Sequence, residues 1–294
     1  MRTAVIPAAG LGTRSLPFTK SVPKELLPVL NKPALQYIVE EAVAAGIERI
    51  VVVISPRKQL IASHFSCDHA LIADLERAGK HNLARSLRRI PDLVEMEFVE
   101  QPQPRGLGDA VLCAARQIRD ESFAVLLGDD LLLDDGALLR RMLMTHAASN
   151  GVVLALREVA QEEISQYGCA AVSGSWPARV HALVEKPDPE VAPSSFAIFG
   201  RYVITPDVVA ALEQTAPGRN GEIQLTDALA RVANDTAVYA HLCGTDYYDL
   251  GTRLGALRAN IDVALADPDL GESVARYLAE RAGLVVASAL TAGH

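Results

Sequence analysis

A turn of mostly small residues, Ala8-Ala9-Gly10-Leu11-Gly12-Thr13-Arg14, directly follows the apolar run Thr3-Ala4-Val5-Ile6. Small side chains let successive backbone amides close around an anion, and a turn at the carboxyl end of a parallel strand is where open α/β sheets take their ligands. Two familiar phosphate loops can be tested against it. A Walker loop ends in Gly-Lys-Ser/Thr, whereas Gly12 leads into Thr13-Arg14. A dinucleotide fingerprint needs a third small residue opening a helix, but Pro17 and Pro23 break the next turns. The segment from Leu16 to Glu25 is therefore expected to run on as irregular chain. Together with Arg14 it supplies Lys20 and Lys24, so three cations and an amide cradle are able to converge on one polyphosphate. The plainer reading is an ordinary tight strand-to-helix turn with solvated basic side chains.

Further along, Gln101-Pro102-Gln103-Pro104-Arg105-Gly106-Leu107-Gly108-Asp109 follows a predicted strand. A strand-end glutamine offers the donor and acceptor that reading a pyrimidine edge requires, and Gly106 and Gly108 let backbone approach a flat base. On residues alone a surface turn fits equally. Leu126-Leu127-Gly128-Asp129-Asp130 sets paired carboxylates after an apolar run, and burying such charges demands a partner or a metal. Hard oxygen ligands of this kind suit Mg²⁺. Tyr247-Tyr248-Asp249-Leu250-Gly251 supplies another strand-end acid. Helix N-capping competes for both aspartates, and for Asp130 it is the favoured reading. Tyr167-Gly168, Glu185-Lys186-Pro187 and Ser194-Ser195-Phe196 suggest a sugar phosphate wall, with Glu185 accepting from hydroxyls and Lys186 binding phosphate. Glu-Lys-Pro is also common surface sequence.

The loop from Ala8 to Arg14, followed by Pro23-Lys24-Glu25-Leu26-Leu27-Pro28-Val29, resembles the sugar-nucleotide pyrophosphorylases, most closely the bacterial UTP:glucose-1-phosphate uridylyltransferases. The resemblance runs from Ala4 to about Asn260, with further agreement at Gly200-Arg201-Tyr202-Val203 and from Gly221 to Ala228. It implies transfer of a uridylyl group from UTP to glucose 1-phosphate, releasing pyrophosphate. It also implies that Ala8, Ala9, Gly10, Leu11, Gly12, Thr13, Gln101 and Gly106 bind the nucleotide, and that Arg14, Lys24 and Lys186 are catalytic. Gly168, Glu185, Lys186 and Ser195 would take the sugar phosphate, Asp129 and Asp249 would share Mg²⁺, and the chain would assemble as a homodimer or homotetramer. The implied fold is α/β: a Rossmann-like, mixed but mostly parallel central sheet flanked by helices, of the nucleotide-diphospho-sugar transferase type, with an antiparallel sugar-binding extension. Three positions depart from the pattern. Asp109 stands where histidine is usual, Ser195 where asparagine is usual and Glu100 where arginine is frequent. Altered specificity or rate follows more readily than lost chemistry, with thymidylyl transfer or a non-catalytic nucleotide-sugar binder as the rival readings.

Positioning these residues requires strands that end together. Apolar runs at Thr3–Ile6, Ile50–Ile54, Glu97–Glu100 and Phe123–Leu127 alternate with amphipathic stretches, the pattern of parallel strands and crossover helices. A helix is predicted after Pro33 and stops at Gly46. Residues 61–90 read as a helical insertion or lid-like excursion. After Gly151 the predicted strands are Gly151–Leu156, Gly168–Val172, Val180–Val184 and Phe196–Tyr202, and closing helices lie near Pro206–Gln214, Leu225–Val232 and Leu254–Leu265. One domain over 1–283 is expected, with a nucleotide-binding half over 1–150, a sugar-phosphate half and closing helices over 151–265, and a flexible tail over 284–294. Of the 294 residues half are hydrophobic, and the formal net charge is −8, which disfavours a general nucleic-acid binder. Cys67, Cys113, Cys169 and Cys243 are isolated and expected as buried thiols. No apolar run reaches the ~20 residues of a membrane span, and the chain opens on Thr3-Ala4-Val5-Ile6-Pro7 without a signal pattern. Cytoplasmic residence is expected.

Overall fold

Ala4, Val5 and Ile6 are buried on both faces of the chain, so the first apolar run forms a central strand rather than an edge. The structure, a computed structural model, describes residues 1–119, 121–218, 221–244 and 247–292, the last nine as backbone alone. Its strands are β1 (Thr3–Pro7), β2 (Pro28–Val29), β3 (Lys32–Pro33), β4 (Arg49–Ile54), β5 (Glu95–Glu100), β6 (Phe123–Leu126), β7 (Asp130–Leu132), β8 (Val152–Glu158), β9 (Gly168–Ser173), β10 (Ala178–Glu185), β11 (Phe196–Ile204), β12 (Val238–Leu242) and β13 (Tyr247–Asp249). Among the described residues, nine of them form one sheet in the order β5-β4-β1-β6-β11-β8-β12-β10-β9.

The first four strands of that order are parallel. Alternation along them divides the core. Ala4, Ile6, Ile50 and Val52 face the helix Ala34–Ala44, whereas Val5, Val51 and Val53 face the helix Leu107–Ile118. Gly46, at φ 96°, ends the first of these helices where no side chain is tolerated cheaply.

The expectation of a mostly parallel sheet is corrected by the remaining pairings. β11 is antiparallel to β6, β8 and β9, and β10 is antiparallel to β9 and β12; only β12 and β8 add a parallel pair. The fold is mixed α/β. The physical reason lies in the connections: β9 ends at Ser173 and β10 begins at Ala178, too close for the crossover of about a dozen residues that parallel neighbours require. Through Ala197 beside Cys169, β11 also closes onto β9, so β11, β8, β12, β10 and β9 make a small barrel-like ring.

Residues 61–90 fall mainly in the helices Gln59–Phe65, His69–Arg77 and His81–Arg89. The final helix spans Gly271–Ala292, so the expected tail is helical as far as it is described, and residues 293–294 lie outside the described residues. Cys169 is buried as expected, but Cys67 is exposed. No described helix is long and apolar enough to cross a membrane.

Candidate active site

β1, β4, β5 and β6 end on the same side of the sheet, and the loop after β1 begins there. Ala8, just past β1, does not line the cleft, since both of its backbone polar groups are engaged: its amide donates to Val53 (2.7 Å) and its carbonyl accepts from Lys58 Nζ (2.8 Å). From Ala9 onward the loop lines the cleft. Gly12 adopts φ 67°, and a Cβ there would press on Thr19 and Lys24. Thr19 Oγ1 donates to the Gly12 carbonyl at 2.8 Å, folding the irregular segment back on itself. That segment winds through three short 3-10 turns, Thr13–Ser15, Phe18–Lys20 and Lys24–Leu26. Lys20 does not line the cleft, so two of the three expected cations converge.

Those two cations meet the acids. Lys24 Nζ lies 2.5 Å from Asp129 Oδ2, and Arg14 spans both carboxylates, 3.0 Å from Asp249 and 3.7 Å from Asp129. Burial opposes the Lys24 charge, but Asp129 and Glu25 outweigh it and hold its pKa above the ordinary value. The ribbon of β7 and β13 makes this meeting possible across the sequence. It pairs Asp249 with Asp130, and Leu250 N donates to the Asp129 carbonyl at 2.8 Å. Gly251 is enclosed by the same ions: a Cβ would collide with Arg14 Nη2 and lie 2.8 Å from Asp249 and 2.9 Å from Asp129.

Asp130 caps no helix, contrary to expectation. It opens β7, fully buried, and accepts from Gly200 N (2.9 Å) and Tyr247 OH (2.6 Å). Burial first, and then the neighbouring Asp129, push its carboxyl up to about 6. Beneath it Arg201 donates to both carboxylate oxygens of Glu41 and to the Asp130 carbonyl, a buried pair supporting the acid ribbon.

The opposite wall is built from β5, β9 and β10. Gln101 follows β5, and its Nε2 donates to Asp109 Oδ2 (2.7 Å) and to the Gly106 carbonyl (3.2 Å). Gly106 has φ 95°, and a Cβ would stand 2.9 Å from Glu222 Cβ and from the Ile223 carbonyl, so glycine is required. Register pairs Gly168 with Glu185. Glu185 accepts from Thr226 Oγ1 (2.7 Å) and from Lys186 Nζ (3.1 Å). Lys186 takes φ 45°, an unusual left-handed conformation for a side-chain-bearing residue and one often found at functional positions.

These residues surround a cleft of about 560 Å³, continued by a second hollow of about 390 Å³ that Arg14, Asp129, Lys186 and Asp249 border. Every site residue expected from the sequence borders one or the other, save Ala8 and Ser195. Ser195 precedes β11, whose Phe196 pairs with Glu158 at the end of β8. It therefore falls past the strand end, and its hydroxyl donates to Glu158 at 3.4 Å. No residue of the helical stretch 61–90 borders the cleft.

A sequence profile of the nucleotidyl transferase family matches residues 3–264. The chain belongs to that family. It is 42% identical over 280 residues to a UTP–glucose-1-phosphate uridylyltransferase of Bacillus subtilis, covering 95% of this chain and 94% of that one. The UTP-bound enzyme of Acinetobacter baumannii superposes with a TM-score of 0.86 at 37% identity, over 95% of this chain and 99% of that one. A UDP-glucose pyrophosphorylase complexed with UDP-glucose gives 0.80 at 37% identity, over 88% and 97%. Within this nucleotidyl transferase, sequence reasoning missed the buried pair of Lys58 with Glu25, in which Lys58 Nζ lies 2.9 and 2.8 Å from the carboxylate oxygens. Burial pushes Glu25 up and Lys58 down. The position of Lys58, four residues past the carboxyl end of β4, was the signal that could have found it.

Proposed function

We propose that the chain transfers the uridylyl group of UTP to glucose 1-phosphate, giving UDP-glucose and pyrophosphate. The observation that carries this reading is the meeting of Arg14 and Lys24 with Asp129 and Asp249 at one cleft in a chain 42% identical to a uridylyltransferase. The sheet up to β6 serves as a Rossmann-like nucleotide half, and the barrel-like ring after Gly151 as the sugar-phosphate half. The triphosphate lies along the loop from Ala9 to Thr13, with the base against Gln101 and Gly106 and the sugar against Gly168 and Glu185.

In the reaction an oxygen of the sugar phosphate attacks the α-phosphorus, the new P–O bond forms in line, and the bond to the departing pyrophosphate breaks. The attacking phosphate is already ionised at neutral pH, so no side chain need accept a proton. Lys186 orients the attacking phosphate, and Arg14 and Lys24 neutralise charge growing on the leaving group. Asp129 and Asp249 are the residues that would hold Mg²⁺. Two carboxylates, with no third acidic, cysteine or histidine ligand grouped with them among the described residues, suit an ion that keeps water and substrate oxygens in its shell. Bound there, it would supply Lewis-acid charge neutralisation. Arg14 and Lys24 neutralise the same acids through ion pairs.

Exposed Leu254, Leu257, Leu265, Leu270 and Tyr277 on and between the last two helices support assembly as a homodimer or homotetramer, and light scattering would measure it. Cytoplasmic residence belongs to the same reading. The test of function is pyrophosphate release on mixing the protein with UTP, glucose 1-phosphate and Mg²⁺, run beside dTTP. Binding without turnover would refute the transferase, and turnover of dTTP alone would refute the choice of base.

A further inference from the structure

We propose that Asp109 is a specificity-determining positioning residue, locking the Gln101 side-chain amide so that the cleft sees a hydrogen-bond acceptor and no donor. The inference rests on the reading that a pyrimidine base meets Gln101.

Gln101 is only 4% exposed and borders the cleft at the end of β5. An amide can in principle point either end inward, and a base could then choose. Here the choice is removed. One end lies 2.7 Å from Asp109 Oδ2 and 3.2 Å from the Gly106 carbonyl oxygen. A carboxylate and a carbonyl oxygen both only accept, so that end must be the NH₂ group, and both of its hydrogens are committed. Turning the amide over would set its oxygen against two acceptors. What remains for a ligand is Oε1, to which no described residue donates.

The geometry of the anchor is itself fixed. Asp109 lies in the first turn of the helix Leu107–Ile118, directly after Gly106, whose backbone is wedged against Glu222 and Ile223. Gly108 is held in the same way, with its amide donating to the Ile223 carbonyl at 2.9 Å. Asp109 therefore cannot easily follow Gln101 if the amide turns.

The chemical consequence concerns the ring nitrogen N3 on the pairing edge of the base. Uracil and thymine carry N3–H, a donor that Oε1 accepts. Cytosine presents a bare N3 lone pair at that place, which Oε1 repels and which only the committed NH₂ group could satisfy. An isosteric Asp109→Asn change brings a carboxamide that can either accept from or donate to the Gln101 amide, so that only the 3.2 Å contact with the Gly106 carbonyl still opposes turning the NH₂ group toward the cleft. Asp109→Ala frees one of its hydrogens by deletion. Neither change alters what distinguishes uracil from thymine.

The experiment measures kcat/KM for UTP, CTP and dTTP with glucose 1-phosphate in the wild type, Asp109→Asn and Asp109→Ala, with calorimetric Kd values for the same triphosphates. The preference for UTP over CTP is expected to fall by about tenfold or more in both variants, as one buried hydrogen-bond mismatch is relieved. The UTP to dTTP ratio should stay constant, which general loosening of the site would not produce. An unchanged UTP to CTP ratio in the folded Asp109→Ala variant overturns the lock. If the wild type binds UTP but releases no pyrophosphate, the transferase reading fails and the ratio of Kd values judges the lock alone. A wild type that binds none of the three pyrimidine triphosphates overturns both.

Discussion

Lys24 is a loop cation whose value depends on what lies opposite. Because its ammonium is mostly buried against Asp129, the contact that fixes it belongs to the fold, and the cost of ordering a long side chain is met in folding. Replacing Lys24 by alanine is expected to lower kcat by about 10²–10³, the scale of losing one preorganised charge stabiliser, with the far-ultraviolet dichroism retained. Near-normal pyrophosphate release from the folded variant would remove Lys24 from the mechanism. Arg14, Lys24, Asp129, Lys186 and Asp249 were legible in the sequence through the motifs they sit in and the resemblance those motifs carry, since a loop cation, a strand-end acid or a Glu-Lys-Pro segment taken alone is ordinary sequence. Ser195 was not legible in the same way. Its place depends on the register of β11 against β8, a property of pairing that its neighbours in sequence do not carry.

β7 and β13 are short, and the acids they carry hold together through buried polar contacts rather than through length. Arg201 and Glu41 form the most enclosed of these, with side chains 0% and 3% exposed. Glu41→Ala would leave a buried guanidinium without its carboxylate, and the expected loss is about 3–5 kcal/mol in denaturant unfolding; a loss under about 1 kcal/mol, the range of an exposed pair, would show that water reaches the arginine. Asp130 adds a pH dependence of definite sign. Its folded pKa of about 6 stands above the ordinary 3.8, so the folded chain holds this proton more tightly than the unfolded one. Its contribution to stability is therefore greatest below about pH 4, falls as pH rises to about 6, and is level above. Unfolding free energies of the wild type relative to Asp130→Asn, measured from pH 4 to 7, should decline through that window; a flat difference would refute the shift. The strands β1, β4, β6, β8 and β11 were readable from their apolar runs. β7 and β13 were not, because each has three residues and takes its place from the partner it pairs with, and β12 was missed because Tyr239 and His241 interrupt its apolar run.

At the scale of the molecule, the acids that would share Mg²⁺ are already compensated by Arg14 and Lys24, so folding should not need the ion. Chelation by EDTA is expected to abolish pyrophosphate release while leaving Tm within about 1 °C, since a ligand stabilises only as far as it binds the native state. A fall of several degrees would mean that the ion is structural. Apolar runs and turn residues determined an α/β chain, and the order of the motifs carried the resemblance that pointed to the loop, the acids and the Glu-Lys pair, because each motif is a local requirement of backbone geometry or charge. Tertiary structure alone decided the closure of β11 onto β9, the tie of Ala8 to Val53 and Lys58, the burial of Asp130 and the grip of Asp109 on Gln101. Those depend on which distant atoms share a boundary, and the physical reason is that pairing register and burial are properties of the folded contact, absent from any single stretch of chain.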